Sequence, residues 1–146
     1  MKVLPPTYFW ILLFGLAVTH IAVAGPLILS SPLTYAGIPL IAFGTGINLW
    51  TDRLFKQHGT TVKPGEEPLA LIESGPFAVS RHPMYLGMAA FLLGAAILSG
   101  KAFAFLFPAV FIILMDRIFI PMEEDICEGI FQERYRAYRK KVRRWI

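Results

Sequence analysis

Four apolar runs limit what this chain can fold into more than any other feature. They extend from Tyr8 to about Ala24, from Leu33 to Trp50, from Met84 to Ser99 and from Ala102 to about Ile120, and their only Asp, Glu, Lys or Arg are Asp116 and Arg117. Runs of this length with so little charge read as membrane spans. Hydrophobic residues make up 55% of the chain and charged residues 16%, whereas a soluble domain carries about 25% charge because its surface faces water. That balance excludes a disordered chain, a disulfide scaffold and a soluble nucleic-acid binder. The single Cys127 has no partner for an internal disulfide and reads as a small apolar residue. The expected fold is therefore all-α, an integral membrane bundle of four transmembrane helices with a C-terminal amphipathic cytoplasmic helix, forming one domain over residues 1–146.

Charge sets the expected orientation. The link from Gly25 to Pro32 carries none, the link from Thr51 to His82 carries Arg53, Lys56, Lys63 and Arg81, and eight of the fourteen Lys and Arg lie between Arg117 and Arg144. Basic residues beside membrane segments mark the cytoplasmic side, which puts both termini and the long link there. Ser99-Gly100-Lys101 reads as a tight hairpin between the last two spans. The run from Met84 to Ser99 covers only roughly 24 Å at about 1.5 Å per residue, short of a hydrocarbon core near 30 Å, so it must borrow length from Arg81, His82 and Pro83 or sit in thin bilayer. Ala22-Val23-Ala24 before Gly25 also fits a signal-peptide cleavage site, which would leave three spans. Pro121 can end or kink the fourth span. Beyond it, Ile126, Ile130, Phe131, Tyr135, Tyr138 and Val142 recur every three or four residues among basic ones, an amphipathic helix over about 122–142. It suits either the headgroup layer or the cytoplasmic mouth of the bundle.

Polar groups near membrane depth are costly unless paired or facing a cavity, which makes three clusters candidates for chemistry. In the first, Arg81 and His82 precede Pro83 at the start of the third span, where helix amides and dipole favour a carboxylate or phosphate; the plainer alternative is that Arg81 reaches lipid phosphate and His82 caps the helix. The second is Asp116-Arg117 followed by Glu123-Glu124-Asp125. Adjacent helical residues point about 100° apart, so Asp116 and Arg117 each need another partner, and Glu123 and Glu124 suit sugar hydroxyls or an ammonium, or simply a solvated acidic turn. The third is Tyr135 and Tyr138, three apart on one helix face, able to anchor in the interface or close over a ligand. His20, within the first span, reads as a polar contact in the bundle. His20, His58 and His82 show no metal-ligand spacing with one another or with Cys127, and neither a dinucleotide fingerprint nor a P-loop is present.

These clusters fall in a longer ordered series: Gly59-Thr60-Thr61-Val62-Lys63-Pro64, Leu71-Ile72-Glu73-Ser74-Gly75-Pro76-Phe77, Arg81-His82-Pro83-Met84-Tyr85-Leu86-Gly87, Glu123-Glu124, and Phe131 through Tyr138 as Phe-x-x-x-Tyr-x-x-Tyr. Over about residues 50–142 the chain resembles the isoprenylcysteine carboxyl methyltransferase and phospholipid methyltransferase superfamily in its short prokaryotic form. The resemblance implies a multi-pass enzyme of a prokaryotic cell membrane, using S-adenosylmethionine without a Rossmann domain and acting on a lipophilic small molecule or lipid among membrane lipids, with no nucleic-acid partner. Carried over by position, His82, Pro83, Tyr85 and Gly87 match the cofactor element, Glu123 and Glu124 the acidic pair, and Arg117 a basic position near the site. Arg81 suits the cofactor carboxylate and Tyr135 and Tyr138 complete its pocket; Arg117 and Glu124 are the expected catalytic residues, orienting an acceptor carboxylate or taking a proton from an amine. Gln132 stands where the family commonly has Gly after Phe, and Arg143-Arg144 where prenylcysteine enzymes tend to have Pro. Two other classes remain: a non-catalytic transport or assembly subunit, and a related sterol-type reductase using a nicotinamide cofactor. Against the transport subunit, the polar groups gather at one edge and leave the middles of the spans bare.

Overall fold

Prolines and glycines start, stop and pack the helices of this chain. A computed structural model describes residues 4–60 and 68–146; Thr61, Val62, Lys63 and Pro64 of the first motif lie outside them. The helices are α1 (Pro5–Ala22), α2 (Gly37–Gln57), α3 (Pro83–Ser99), α4 (Leu106–Leu114) and α5 (Ile120–Lys141), with short 3-10 turns at Leu33–Ala36, Gly75–Ala78 and Ala102–Phe105. Among the described residues the only β-pairing is an isolated bridge between Leu27 and Lys101. Prolines open α1 and α3, where a missing N–H costs no helical bond. Gly100, at φ 68°, caps α3 in the left-handed conformation and turns the chain toward α4. At this turn Lys101 Nζ donates to the carbonyls of His20 (2.6 Å) and Val23 (2.8 Å), and His20 Nδ1 lies 2.8 Å from Ser99 Oγ. His20 is thus a polar contact tying α1 to α3.

α2 and α3 run antiparallel and nearly touch. Gly37 faces Gly94 and Gly44 faces Gly87; a Cβ on Gly87 would stand 2.8 Å from the Gly44 carbonyl oxygen and collide with Asn48 Oδ1. Small residues let helix backbones approach this closely where lipid supplies no hydrophobic drive between helices. The main core, with Phe9, Tyr85, Met88, Leu92, Phe111, Met115 and Ile120 buried, lies between α1, α3 and the α4–α5 helix. α1 buries little of itself and leaves Trp10, Ile11, Phe14 and Ile21 exposed.

Among the described residues, two helices are long and apolar enough to cross a membrane: Pro5–Ala22 and the continuous run Ala102–Lys141. Pro83–Ser99 is apolar but shorter, and the second half of α2 is diluted by Asn48, Asp52 and Arg53. The helix does not end at Trp50, because Thr51–Gln57 continues it under an Asp52–Lys56 pair one turn apart, 2.6 Å between charged atoms.

Nor does the helix of the fourth apolar run stop at Pro121. α4 passes into α5 through a π-helical turn, Met115–Phe119. A proline ring clashes with the carbonyl four residues before it in a regular helix; the wide turn gives room at Arg117, and the helix continues. The break comes at Gln132, whose φ of 44° and ψ of −119° are non-helical. Beyond it the apolar face, Tyr135, Tyr138 and Val142, packs on Leu71, Cys127 and Phe131, so the amphipathic segment folds back over the mouth of the bundle.

Side chains strain the backbone at positive φ, and glycine does not. Gln132→Gly is therefore expected to stabilise the protein by about 1 kcal/mol, visible as a melting temperature a few degrees higher in detergent. Gly87→Ala is expected to lower it, by about 1–3 kcal/mol of overpacking. An unchanged melting temperature would show that α2 and α3 need not approach so closely.

Candidate functional site

A cavity of about 340 Å³ opens where α1, α3 and α5 begin and α2 ends. Its apolar wall includes Pro5, Phe55, Ile72, Met84, Met88 and Ile126, and its polar wall Arg81, His82, Tyr85, Glu123, Tyr135 and Tyr138. The chain entering α3 is pinned before it reaches the site. Gly75, at φ 61°, lies so close to α2 that a Cβ there would stand 2.9 Å from Leu54 Cδ1, Phe77 meets Phe55 edge-on with ring centres 5.4 Å apart, and the Phe77 carbonyl accepts from the Tyr138 hydroxyl at 2.6 Å. His82 N donates to Ser80 Oγ (3.2 Å), and the His82 ring stacks on Tyr85 at 5.8 Å.

Behind the polar wall lies Glu124, with 5% of its side chain exposed. Its Oε1 is 3.1 Å from Arg81 Nη2 and 3.5 Å from His82 Nε2, and it also accepts from Arg144 Nε at 3.2 Å; its Oε2 accepts from Arg144 Nη2 at 2.8 Å. Glu123 turns the other way, into the cavity, where it accepts from the Tyr85 hydroxyl and lies 3.4 Å from His82 Nδ1. The adjacent carboxylates therefore divide the work: Glu124 gathers the cations and Glu123 faces the open space. Among the described residues, Arg81 Nε and Nη1 are buried without a hydrogen-bond partner.

Of the residues expected from sequence, Arg81, His82, Pro83, Tyr85, Glu123, Tyr135 and Tyr138 meet around this cavity. Gly87 does not line it and instead packs on α2. Arg117 points outward from the π turn, exposed and outside the cavity lining. Asp116 finds its partner in Arg144, whose Nη1 donates at 3.1 Å, and accepts from Trp145 Nε1 at 3.1 Å. Arg144 was not among the expected residues: it is one basic residue in a basic tail, and no local spacing separates it from Arg139 or Arg143. Cys127, expected only as a small apolar residue, lines the cavity, and burial pushes its thiol up to about 11, so it is not a ready nucleophile.

Burial alone would depress the His82 pKa, but hydrogen bonds and charge from Glu123 and Glu124 outweigh it and raise the group above its ordinary 6.5. Burial likewise opposes ionisation of Glu124, and His82, Arg144 and Arg81 overcome it, taking the carboxyl from 4.5 down to about 2. By linkage, a raised histidine stabilises the fold fully below its unfolded pKa and loses that contribution as pH climbs through its folded value. A depressed carboxyl contributes above its unfolded pKa and loses it as pH falls. Melting temperature is thus expected to peak between pH 4.5 and 6.5 and to decline on both sides. His82→Gln should flatten the alkaline decline and also soften the acid one, because His82 helps to hold the Glu124 carboxyl down; an alkaline limb unchanged in the variant would show that His82 is not its source.

Comparison with known proteins adds the family. The chain is 36% identical over 63 residues to an uncharacterized protein of Haemophilus influenzae, an alignment covering 43% of this chain and all of that one. No solved structure matches it. A family model described as phospholipid methyltransferase matches residues 33–134, well over half the chain and all of the site except its N-terminal edge and the tail bearing Tyr135, Tyr138 and Arg144. On that match, the chain belongs to the phospholipid methyltransferase family.

Proposed function

We propose that this protein is an integral membrane methyltransferase that uses S-adenosylmethionine to methylate a lipophilic acceptor at the cytoplasmic face. The observation that carries the reading is the buried Arg81, whose Nε and Nη1 have no hydrogen-bond partner among the described residues, beside a largely apolar cavity. A buried cation with donors to spare suits an anionic group such as a carboxylate. The polar wall fits the rest of the cofactor: Glu123 can accept from ribose hydroxyls or an ammonium, and the Tyr135 and Tyr138 rings, 6.2 Å apart, offer faces to a planar base. Membrane insertion is supported by the exposed apolar face of α1 and by the gathering of basic residues at the cavity end, which the positive-inside bias assigns to the cytoplasm. In this arrangement α2 and α3 also cross, their close contact shielding the polar groups of α2.

The cofactor supplies a methyl group made electrophilic by its sulfonium. The chain's own residues then have three tasks. Arg81 and Glu123 fix the donor's orientation, which is most of what an in-line displacement requires. Met84, Met88 and Ile126 keep water out and accept the oily part of the acceptor. For an amine acceptor, Glu123 is the carboxylate able to take the proton, because Glu124, held down at about 2 by its cations, is too weak a base. Arg117, exposed on the π turn, has no part in this scheme.

Calorimetry with S-adenosylhomocysteine on the detergent-purified protein is expected to show binding, weakened about tenfold by Glu123→Gln through loss of a charge-assisted hydrogen bond and unaffected by Arg117→Ala. Absence of binding by the folded wild type would refute the reading.

A further inference from the structure

Arg144 sits on a C-terminal strap that is fastened to the segment carrying Arg81. The Arg143 carbonyl accepts from Arg81 N at 3.0 Å, the Arg144 carbonyl accepts from Ser80 Oγ at 3.2 Å, and Trp145 closes against the core below. From this strap the Arg144 guanidinium grips both oxygens of Glu124 and reaches Asp116. Arg81, by contrast, meets Glu124 through Nη2 alone and keeps Nε and Nη1 without partners among the described residues. Two arginines thus share one buried carboxylate unequally. Arginine and carboxylate prefer to pair through two parallel bonds, and a buried carboxylate relieved of one arginine has every reason to turn fully onto the other.

We infer that Arg144 is a positioning residue that occupies Glu124 so that Arg81 is left open to bind an anionic group in the cavity. The inference rests on the proposed cofactor reading, in which that group is the amino-acid carboxylate of S-adenosylmethionine. Without Arg144, Glu124 turns fully onto Arg81 and competes with the ligand. The effect is specific to the anionic end and leaves the nucleoside end untouched.

Two probes separate these ends: S-adenosylhomocysteine carries the carboxylate, and 5′-methylthioadenosine lacks the whole amino-acid part. Binding of each to purified wild type, Arg144→Gln and Arg144→Lys is measured by calorimetry, with melting temperature recorded for each. Arg144→Gln is expected to weaken S-adenosylhomocysteine on the order of tenfold or more while methylthioadenosine affinity stays within about twofold. Arg144→Lys keeps the charge and loses the fork, and its effect should fall between. Equal weakening of both probes, or of neither, would overturn the role of Arg144, and so would unfolding of both variants, which would make it a residue of the fold. A folded wild type that binds neither probe would instead remove the cofactor reading and this inference with it.

Discussion

A carboxylate sealed from water survives only among cations, and Glu124 draws them from two separate parts of the chain. Arg81 and His82 come from the entry to α3, and Arg144 from the tail, while the carboxylate itself stands on α5. Removing it would leave two arginines and a raised histidine facing one another in a poorly solvated rim, a situation that costs about 3–5 kcal/mol in comparable buried pairs. The cavity has its shape because these elements are drawn together there. Glu123 is aimed by the same arrangement, since a helix turns about 100° between neighbours and one of two adjacent carboxylates must look elsewhere.

The glycine contacts between α2 and α3 serve the site from a distance. Gly44 and Gly87 bring the helices close enough for the end of α2 to stand beside the start of α3. Phe55 reaches Phe77 there, and the backbone of Phe77 in turn receives Tyr138. Gly87 belongs to a motif that sequence resemblance associates with the cofactor; its geometric task is to set the spacing of the wall on which Tyr85 and His82 are mounted.

Much of this was legible in the sequence because it is local. Pro83 announces the start of α3, Gly100 its end, and the three-to-four spacing of Tyr135, Tyr138 and Val142 a face that must be covered. Which surface covers it was open between headgroups and bundle, since periodicity specifies a face and says nothing of its partner. Arg117 and Arg144 mark the limit. A count along a regular helix carries no sign of a π turn, so the direction of Arg117 was not available; and the hold of Arg144 on Glu124 spans twenty residues of helix, kink and strap, a distance at which neither spacing nor propensity speaks. The positive φ at Gln132 has a fainter trace, the glycine that the family resemblance leads one to expect after Phe131.

The π turn at Met115–Phe119 also governs the phase of everything after it. An extra residue accommodated in one turn offsets all later side chains by roughly a quarter to a third of a revolution relative to an unbroken α-helix. Glu123, Glu124 and Cys127 owe their bearing on the cavity to that offset, and a chain shortened by one residue within the turn would present a different set of side chains to the same space. The acidic pair is therefore addressed by its position after the bulge, not by its distance from the membrane.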